Sequence, residues 1–281
     1  MASFKELGAR VWASIAHNQT LRWSSRPVET QNNVLKSLIK KAKNTSFGKD
    51  HLFDHIKSIQ DFQNNVPIRD YEKLKIYIDR VVEGESNVLW PGVPKYFAKT
   101  SGTTSGSKYI PISSDSVIYH IRSARNAILA HIRNTGRSQF LNGKMIFLQG
   151  SPELEKTKYG IPTGRLSGIS ADFVPIYLQK NSMPSWKTNC IDDWEEKVTA
   201  IVEETFNSDM TVISGIPPWV QMYFEKLMDK TDKKSMSEVY PNFDLFITGG
   251  VAFEPYQARF KELFGKNIPI IQTYPASEGF F

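Results

Sequence analysis

The chain has 281 residues, of which 40% are hydrophobic, 12% aromatic and 23% charged, a balance that excludes disordered, fibrous and low-complexity classes. That length suffices for one large α/β core or two smaller domains, and no apolar run approaches the ~20 residues that span a bilayer, so no membrane partner is expected. The net charge of +6 raises the local concentration of nucleotides, phosphates and carboxylates, but the basic residues are scattered and no nucleic-acid module accompanies them. A single cysteine, Cys190, excludes an internal disulfide framework and any cysteine-rich zinc site, and it points to a cytoplasmic setting.

The chain opens with two predicted helices. Over 3–20, Phe4, Leu7, Val11 and Ile15 recur at helical spacing, and over 28–44 Val28, Val34, Leu35, Leu38 and Ile39 do the same. The first helix is expected to pack on its own domain, because it contains Glu6 and is not arginine-rich as a membrane or organellar address would be. Residues 51–100 are mixed, with Pro67, Pro91 and Pro94 breaking any long period. A helix over 114–134 follows, capped by Ser113, Ser114 or Asp115, with Val117, Ile121, Ala124, Ile128 and Ile132 on one face and Gly136 at its end. Residues 151–190 read as loops and short strands, with strand pieces around 173–178.

From residue 145 onward strands and helices alternate. Strands are expected at 145–149, 210–213, 243–247 and 268–272, and helices at 192–206, after Pro217-Pro218, and from Glu254-Pro255 to Gly265. Such alternation predicts an α/β fold, mainly parallel sheets flanked by helices. In open sheets of this kind ligands sit beyond the carboxyl ends of the strands. Three of these strands end in small or polar residues, Ser214-Gly215, Thr248-Gly249-Gly250 and Thr273-Tyr274. Their loops are expected to form one crevice lined by backbone groups and by Tyr274, Ser277 and Glu278.

Residues 100–108 read Thr-Ser-Gly-Thr-Thr-Ser-Gly-Ser-Lys, a flexible loop able to offer N–H, O–H and one ammonium to phosphate oxygens. It is not a Walker loop: three residues, not four, separate Gly102 from Gly106, and Lys108 stands one place late. The five histidines, His17, His51, His55, His120 and His131, match no metal or triad spacing and are expected in surface or capping roles. No Gly-x-Ser-x-Gly elbow is present, and Cys190 reads as a small packed residue rather than a nucleophile.

The segment Thr100–Pro111 resembles the first signature of adenylate-forming enzymes. It is most similar to the plant auxin-responsive (Gretchen Hagen) acyl acid amido synthetases and their bacterial relatives, with Lys108 three residues before Pro111. Thr248-Gly249-Gly250-Val251 resembles the family's adenine-side loop, and Tyr274-Pro-Ala-Ser-Glu278 its second signature. Thr45–Lys49, Asp70–Glu72, Leu89–Gly92 and Ser214–Trp219 add supporting fragments, so the resemblance runs from about residue 40 to the last residue.

The resemblance implies activation of a small carboxylic acid by ATP and Mg²⁺ as an acyl-adenylate, then transfer to an amino acid acceptor. It implies that Ser101, Thr103, Thr104 and Lys108, with Gly102 and Gly106 in the same loop, hold the β- and γ-phosphates. By the same resemblance Gly249, Gly250 and Val251 face the adenine edge, Tyr274 covers its face, Ser277 contacts the α-phosphate and Glu278 binds Mg²⁺. Lys108 and Glu278 are then the catalytic residues.

The sequence stops at Phe281, before the family's ribose-binding aspartate, hinge and mobile C-terminal domain. On that resemblance 1–281 is a single large N-terminal adenylation domain, complete or not, with little ATP–pyrophosphate exchange of its own. An acyl-CoA or carrier-protein ligase of the same superfamily, and a non-catalytic nucleotide- or acyl-binding module, are the alternative readings. An acid pocket is expected between helix 114–134 and 159–187, with Tyr159, Phe173, Tyr177 and Trp186 as walls.

Overall fold

The computed structural model describes residues 2–101, 107–171, 173 and 179–279. Among these, the strands in chain order are β1 (Tyr96–Ser101), β2 (Ser107–Ile112), β3 (Lys144–Phe147), β4 (Glu155–Lys156), β5 (Pro162–Gly164), β6 (Ser182–Met183), β7 (Met210–Ser214), β8 (Leu245–Gly249) and β9 (Ile270–Thr273). The strand pieces expected at 174–178 lie outside the described residues. The chain divides into two compact units: Asn18–Ile118 with Leu154–Gly164, and Met1–His17 with Tyr119–Glu153 and Arg165–Phe281. Among the described residues no helix is long and apolar enough to cross a membrane.

The unit built on Asn18–Ile118 holds a four-stranded sheet in the order β2-β1-β5-β4. β1 and β2 are antiparallel, with Thr100 opposite Lys108 and Ser101 opposite Ser107. The signature is therefore two strand ends flanking a shorter connection, rather than nine residues of loop. Phe97, Tyr77, Val81, Val88 and Ile161 form the core beneath it. The helix Tyr71–Val82 starts where the Asp70 carboxylate accepts a 2.9 Å bond from the Lys73 N–H, which satisfies one of the free donors of its first turn.

In this unit the helix Pro27–Ala42 buries Ile39 and Ala42 against Phe53 and Ile56, while Val28, Val34 and Leu38 stay exposed. His51, expected in a surface or capping role, is 4% exposed: its ring stacks 4.0 Å from that of Phe47, and its Nδ1 bonds the Phe47 carbonyl at 2.7 Å. One backbone acceptor and one aromatic face satisfy the ring, so burial costs it little.

The other unit holds the five-stranded sheet β6-β3-β7-β8-β9, parallel throughout. Successive residues point to opposite faces, so Ile146, Ile213 and Phe246 enter one core and Met145, Val212 and Leu245 the other. A parallel sheet covered on both faces needs near-continuous apolar strands, and Met210–Ile213 are all buried. One face is closed by the helices Trp194–Thr205, Pro217–Thr231 and Gln257–Phe264 through Val198, Ile201, Phe224 and Phe260. Fully burying each such side chain stabilises by about 1.5–3 kcal/mol.

The opposite face meets Leu129 and Ile132 of the helix Ser114–Thr135 and Ala13 and Ala16 of the helix Phe4–Ser24. Here the sequence reading is corrected. Phe4, Leu7, Val11 and Ile15 point outward, at 98, 58, 59 and 50% exposure, and the N-terminal helix docks by its small-residue side. Alanines let a helix approach closely. The buried Glu6 fixes the contact by accepting a 2.7 Å bond from the Asn142 amide.

A second correction concerns β8. Phe243 is buried but not in the strand: its N–H bonds the Tyr240 carbonyl in a turn, and its ring packs 5.5 Å from Phe264. The strand begins two residues later, so Thr248 and Gly249 are paired, opposite Gln272 and Thr273, instead of forming a free loop.

Candidate functional site

The order of the parallel sheet locates a site. After β3 the chain contributes β4 and β5 to the other unit's sheet; the next strand of this sheet, β6, lies on one side of β3, and β7 lies on the other, followed outward by β8 and β9. The connections leaving β3 and β7 diverge, which opens a crevice at their carboxyl ends. A cleft of ≈ 300 Å³ lies there, bounded by Phe147–Gly150 after β3, Ser214–Ile216 after β7, Thr248–Gly250 at β8, and Thr273 and Pro275 at β9. Leu148, Ile216 and Trp219 make apolar walls. The volume is at the lower end of the ~300–1,000 Å³ typical of small-molecule sites.

Two glycines shape the β8 side. A Cβ on Gly249 would stand 2.4 Å from the Thr273 carbonyl oxygen, so only glycine lets β8 and β9 pair at this point. Gly250 has φ +83°, in the left-handed region that other residues avoid. Together they leave backbone, and no side chain, at the rim. Thr248, just inside, is 2% exposed and its hydroxyl has no hydrogen-bond partner among the described residues.

The cationic side of the cleft is Arg165. A Cβ on Gly150 would stand 2.6 Å from its Nη1, so the guanidinium lies along the loop that follows β3. Nothing in the sequence motifs marked Arg165. Its signal is a cation directly after Gly164, in a segment that read only as irregular.

The expected site residues are distributed as follows. Gly249 and Gly250 line the cleft, whereas Val251 and Tyr274 are 46 and 63% exposed and lie outside its lining, as do Ser277 and Glu278. Ser277 and Glu278 occupy the tip of a two-residue turn held by reciprocal bonds between Ala276 and Gly279, 2.8 and 3.2 Å long. Pro275, rather than Tyr274, closes the β9 side because it follows the last paired residue, Thr273.

In the other unit, Ser101 and Lys108 stand on adjacent strands, and Gly102, Thr103, Thr104 and Gly106 lie outside the described residues. The half-buried Lys108 is held by Tyr71, whose ring centroid is 5.2 Å from its ammonium. Tyr71 was visible in sequence only within the supporting fragment Asp70–Glu72.

Of the aromatics expected to wall an acid pocket, Tyr159 and Trp186 are more than half exposed, Phe173 is partly buried and Tyr177 lies outside the described residues. Tyr159 packs against Gly84 and donates a 3.3 Å hydrogen bond to Glu83, contacts of its own unit rather than a pocket wall. Burial and then the neighbouring Glu153 push the Cys190 thiol pKa up, which disfavours the thiolate. Among the described residues no group of three His, Cys, Asp or Glu side chains is placed to hold a metal ion. A groove between Trp194–Thr205 and Pro217–Thr231 contains the ion pair of Lys230 with Glu203, 2.7 Å long.

Residues 16–192, more than half of the chain, match the GH3 family N-terminal domain. The chain belongs to the GH3 family. It is similar to two Arabidopsis thaliana GH3 proteins. The indole-3-acetic acid-amido synthetase GH3.15 is 31% identical over 200 residues, 67% of this chain and 32% of that protein. The 4-substituted benzoates-glutamate ligase GH3.12 is 31% identical over 163 residues, 56% of this chain and 26% of that protein.

Among solved structures, the AtGH3.15 acyl acid amido synthetase in complex with 2,4-DB superposes with a TM-score of 0.73 at 14% identity, over 99% of this chain and 57% of that one. An open conformation of 2-hydroxyisobutyryl-CoA ligase, in complex with 2-HIB-AMP and CoA, gives 0.57 at 11% identity, over 89% and 53%. These likenesses establish the fold. The GH3 chain thus spans about a third or less of its curated relatives in matched sequence, and a little over half of these solved neighbours.

Proposed function

We propose that this GH3 chain carries the nucleotide- and acid-binding part of an ATP-dependent acyl acid amido synthetase. The reaction joins a small carboxylic acid to an amino acid through an acyl-adenylate. One observation carries the reading. The cleft at the carboxyl ends of β3, β7, β8 and β9 combines a bare backbone rim at Gly249-Gly250 with an arginine, in a chain of a family whose matched members are amido synthetases. A neutral rim suits a nucleobase and a cation suits a phosphate or carboxylate, so the residues fit the nucleotide.

Mg-ATP, when bound, supplies the adenylyl group that the acid's carboxylate takes up as pyrophosphate leaves. The protein's task is then to position and to balance charge. Ser101, Thr103, Thr104 and Lys108 are assigned to the β- and γ-phosphates, where the ammonium of Lys108 offsets charge growing on the leaving group. Gly249, Gly250 and Val251 are assigned to present backbone to the base, and Tyr274, 63% exposed, is assigned to its face. Ser277, at its turn tip, is assigned to the α-phosphate. Beside it Glu278 offers one hard oxygen ligand, which fits Mg²⁺ because that ion takes one or two carboxylates and fills its shell with phosphate and water. No side-chain base is required, since the substrate carboxylate is the nucleophile. The single cysteine supports a cytoplasmic setting.

Titration with Mg-ATP, beside Glu278→Ala and Lys108→Ala, tests the assignment. Saturable binding that both substitutions weaken supports it, and absence of binding at millimolar ATP overturns it. In a form extended to the length of its relatives, an amide product is expected from an acid, ATP and an amino acid; an acyl-CoA formed with coenzyme A instead would move the assignment to the other ligase class.

A further inference from the structure

We infer that the helix Phe4–Ser24 docks on an anionic lipid surface through its exposed stripe, Phe4, Leu7, Val11 and Ile15, while arginines of the helix Ser114–Thr135 meet the headgroups. This goes beyond the nucleotide reading and does not depend on it. Sequence alone weighs against a membrane contact on two grounds, Glu6 and the scarcity of arginine over 3–20. The fold removes both. Glu6 is buried on the inner side of its helix, where the Asn142 amide bonds it, and it is the one carboxylate of Phe4–Ser24, so the outer side carries none. The arginines come from the other helix: Arg125 lies over the Trp12 ring, 4.6 Å from its centre, which ties the two helices side by side.

A helix with apolar residues on both sides is suited to cover on both. The fold covers the side of Ala13 and Ala16. The other side runs from Phe4 to Ile15, about 17 Å at 1.5 Å per residue. Charge selects what covers it. Over 4–17 and 119–135 these helices carry Lys5, Arg10, Arg122, Arg125 and Arg133 against Glu6 alone. Arg122 and Arg133 are exposed and stand about three turns apart, so they share one side of their helix. Neither of them, nor Lys5, forms an ion pair among the described residues. A second copy of this chain would set these cations against their own kind, which disfavours self-association through the stripe. An anionic lipid surface supplies both missing partners, headgroup charge for the cations and acyl chains for the stripe, and it needs no groove shaped to receive a helix. The helix then lies in the plane of the interface, apolar side down.

The test is co-sedimentation of the chain with vesicles of phosphatidylcholine and phosphatidylserine in equal parts, and of phosphatidylcholine alone. Wild type is expected to bind the mixed vesicles about ten-fold more tightly than the neutral ones, and less tightly as salt is raised. Leu7→Ser combined with Val11→Ser should weaken binding to the mixed vesicles about ten-fold through loss of inserted apolar surface. Arg122→Gln combined with Arg133→Gln should remove most of the preference for phosphatidylserine, at about five-fold per arginine. Thermal melting and sedimentation velocity without lipid accompany each variant. Wild type that leaves the mixed vesicles in the supernatant, or that binds both kinds equally, overturns the inference without reference to any variant. Wild-type binding by a folded Leu7→Ser/Val11→Ser pair overturns it too. A dimer that this pair dissociates would assign the stripe to a second copy and overturn it likewise.

Discussion

The ammonium of Lys108 lies 5.2 Å from the centre of the Tyr71 ring, and the Tyr71 hydroxyl accepts a 2.9 Å bond from the N–H of the next residue, Tyr109. One side chain at the first turn of a helix thus holds both the strand and the cation that the proposed function assigns to phosphate. Lys108→Ala is expected to weaken Mg-ATP binding by ten-fold or more, since a charge-assisted contact contributes about 1.5–3 kcal/mol. Tyr71→Leu, which removes both the ring beside Lys108 and the hydroxyl that accepts from Tyr109, should cost about three-fold or more, at least the ~0.5–1 kcal/mol of an exposed cation–π contact. Calorimetric titration checks both, and wild-type affinity in Tyr71→Leu would remove Tyr71 from the site.

Gly249 controls the β8 rim by absence of a side chain. Gly249→Ala places a methyl group against the Thr273 carbonyl and must push β8 and β9 apart. The expected loss is about 1–3 kcal/mol in urea unfolding, as for other over-packed positions. A variant as stable as wild type would mean that the rim is loose enough to accept a side chain.

The outward stripe of the N-terminal helix yields a stability contrast. Leu7→Ser and Val11→Ser should each change stability by no more than ~0.5 kcal/mol, because these side chains are exposed. Ala13→Leu, at 1% exposure, should destabilise by about 1–3 kcal/mol through over-packing. Chemical denaturation of the three variants decides it; the reverse order would put Leu7 and Val11 in the core.

Two histidines set an acid limit. Burial lowers the pKa of His120 and of His131 below the ordinary 6.5; nearby Arg137 lowers His131 further and Asp244 opposes it. The neutral rings belong to the folded state, so their stability contribution is complete above the unfolded pKa of ~6.5 and is lost as pH falls through it toward the depressed folded value. Melting temperature should therefore drop between pH 7.5 and 5.5, and His120→Gln combined with His131→Gln should flatten that drop. An equal slope in the double variant would assign the effect to other groups.

Much of the fold was legible because its signals are local. Helix 114–134 was readable from apolar spacing and Ser113, and the structure places it at Ser114–Thr135, with the Ser113 hydroxyl accepting a 3.0 Å bond from Ser116 N–H. The alternation of strands and helices from residue 145 implied a parallel sheet, and Gly249-Gly250 stood out as a strand end of small residues. Arg165 did not stand out. It belongs to no motif, and it gains meaning only from the neighbours that the sheet brings to it.

By itself the sequence determined most of the helices and strands after residue 190 to within a few residues, that their sheet is parallel, and which glycine-rich strand ends are available for a ligand. These follow from side-chain period, capping and backbone freedom within a few residues. Tertiary structure alone decided that β6 pairs with β3, so that the crevice opens between β3 and β7, and that the N-terminal helix buries Ala13 and Ala16 while Phe4 and Val11 face out. An apolar stripe states which face of a helix is able to be buried. Which face is buried depends on how closely the partner surface approaches, and there the small residues of this helix prevailed.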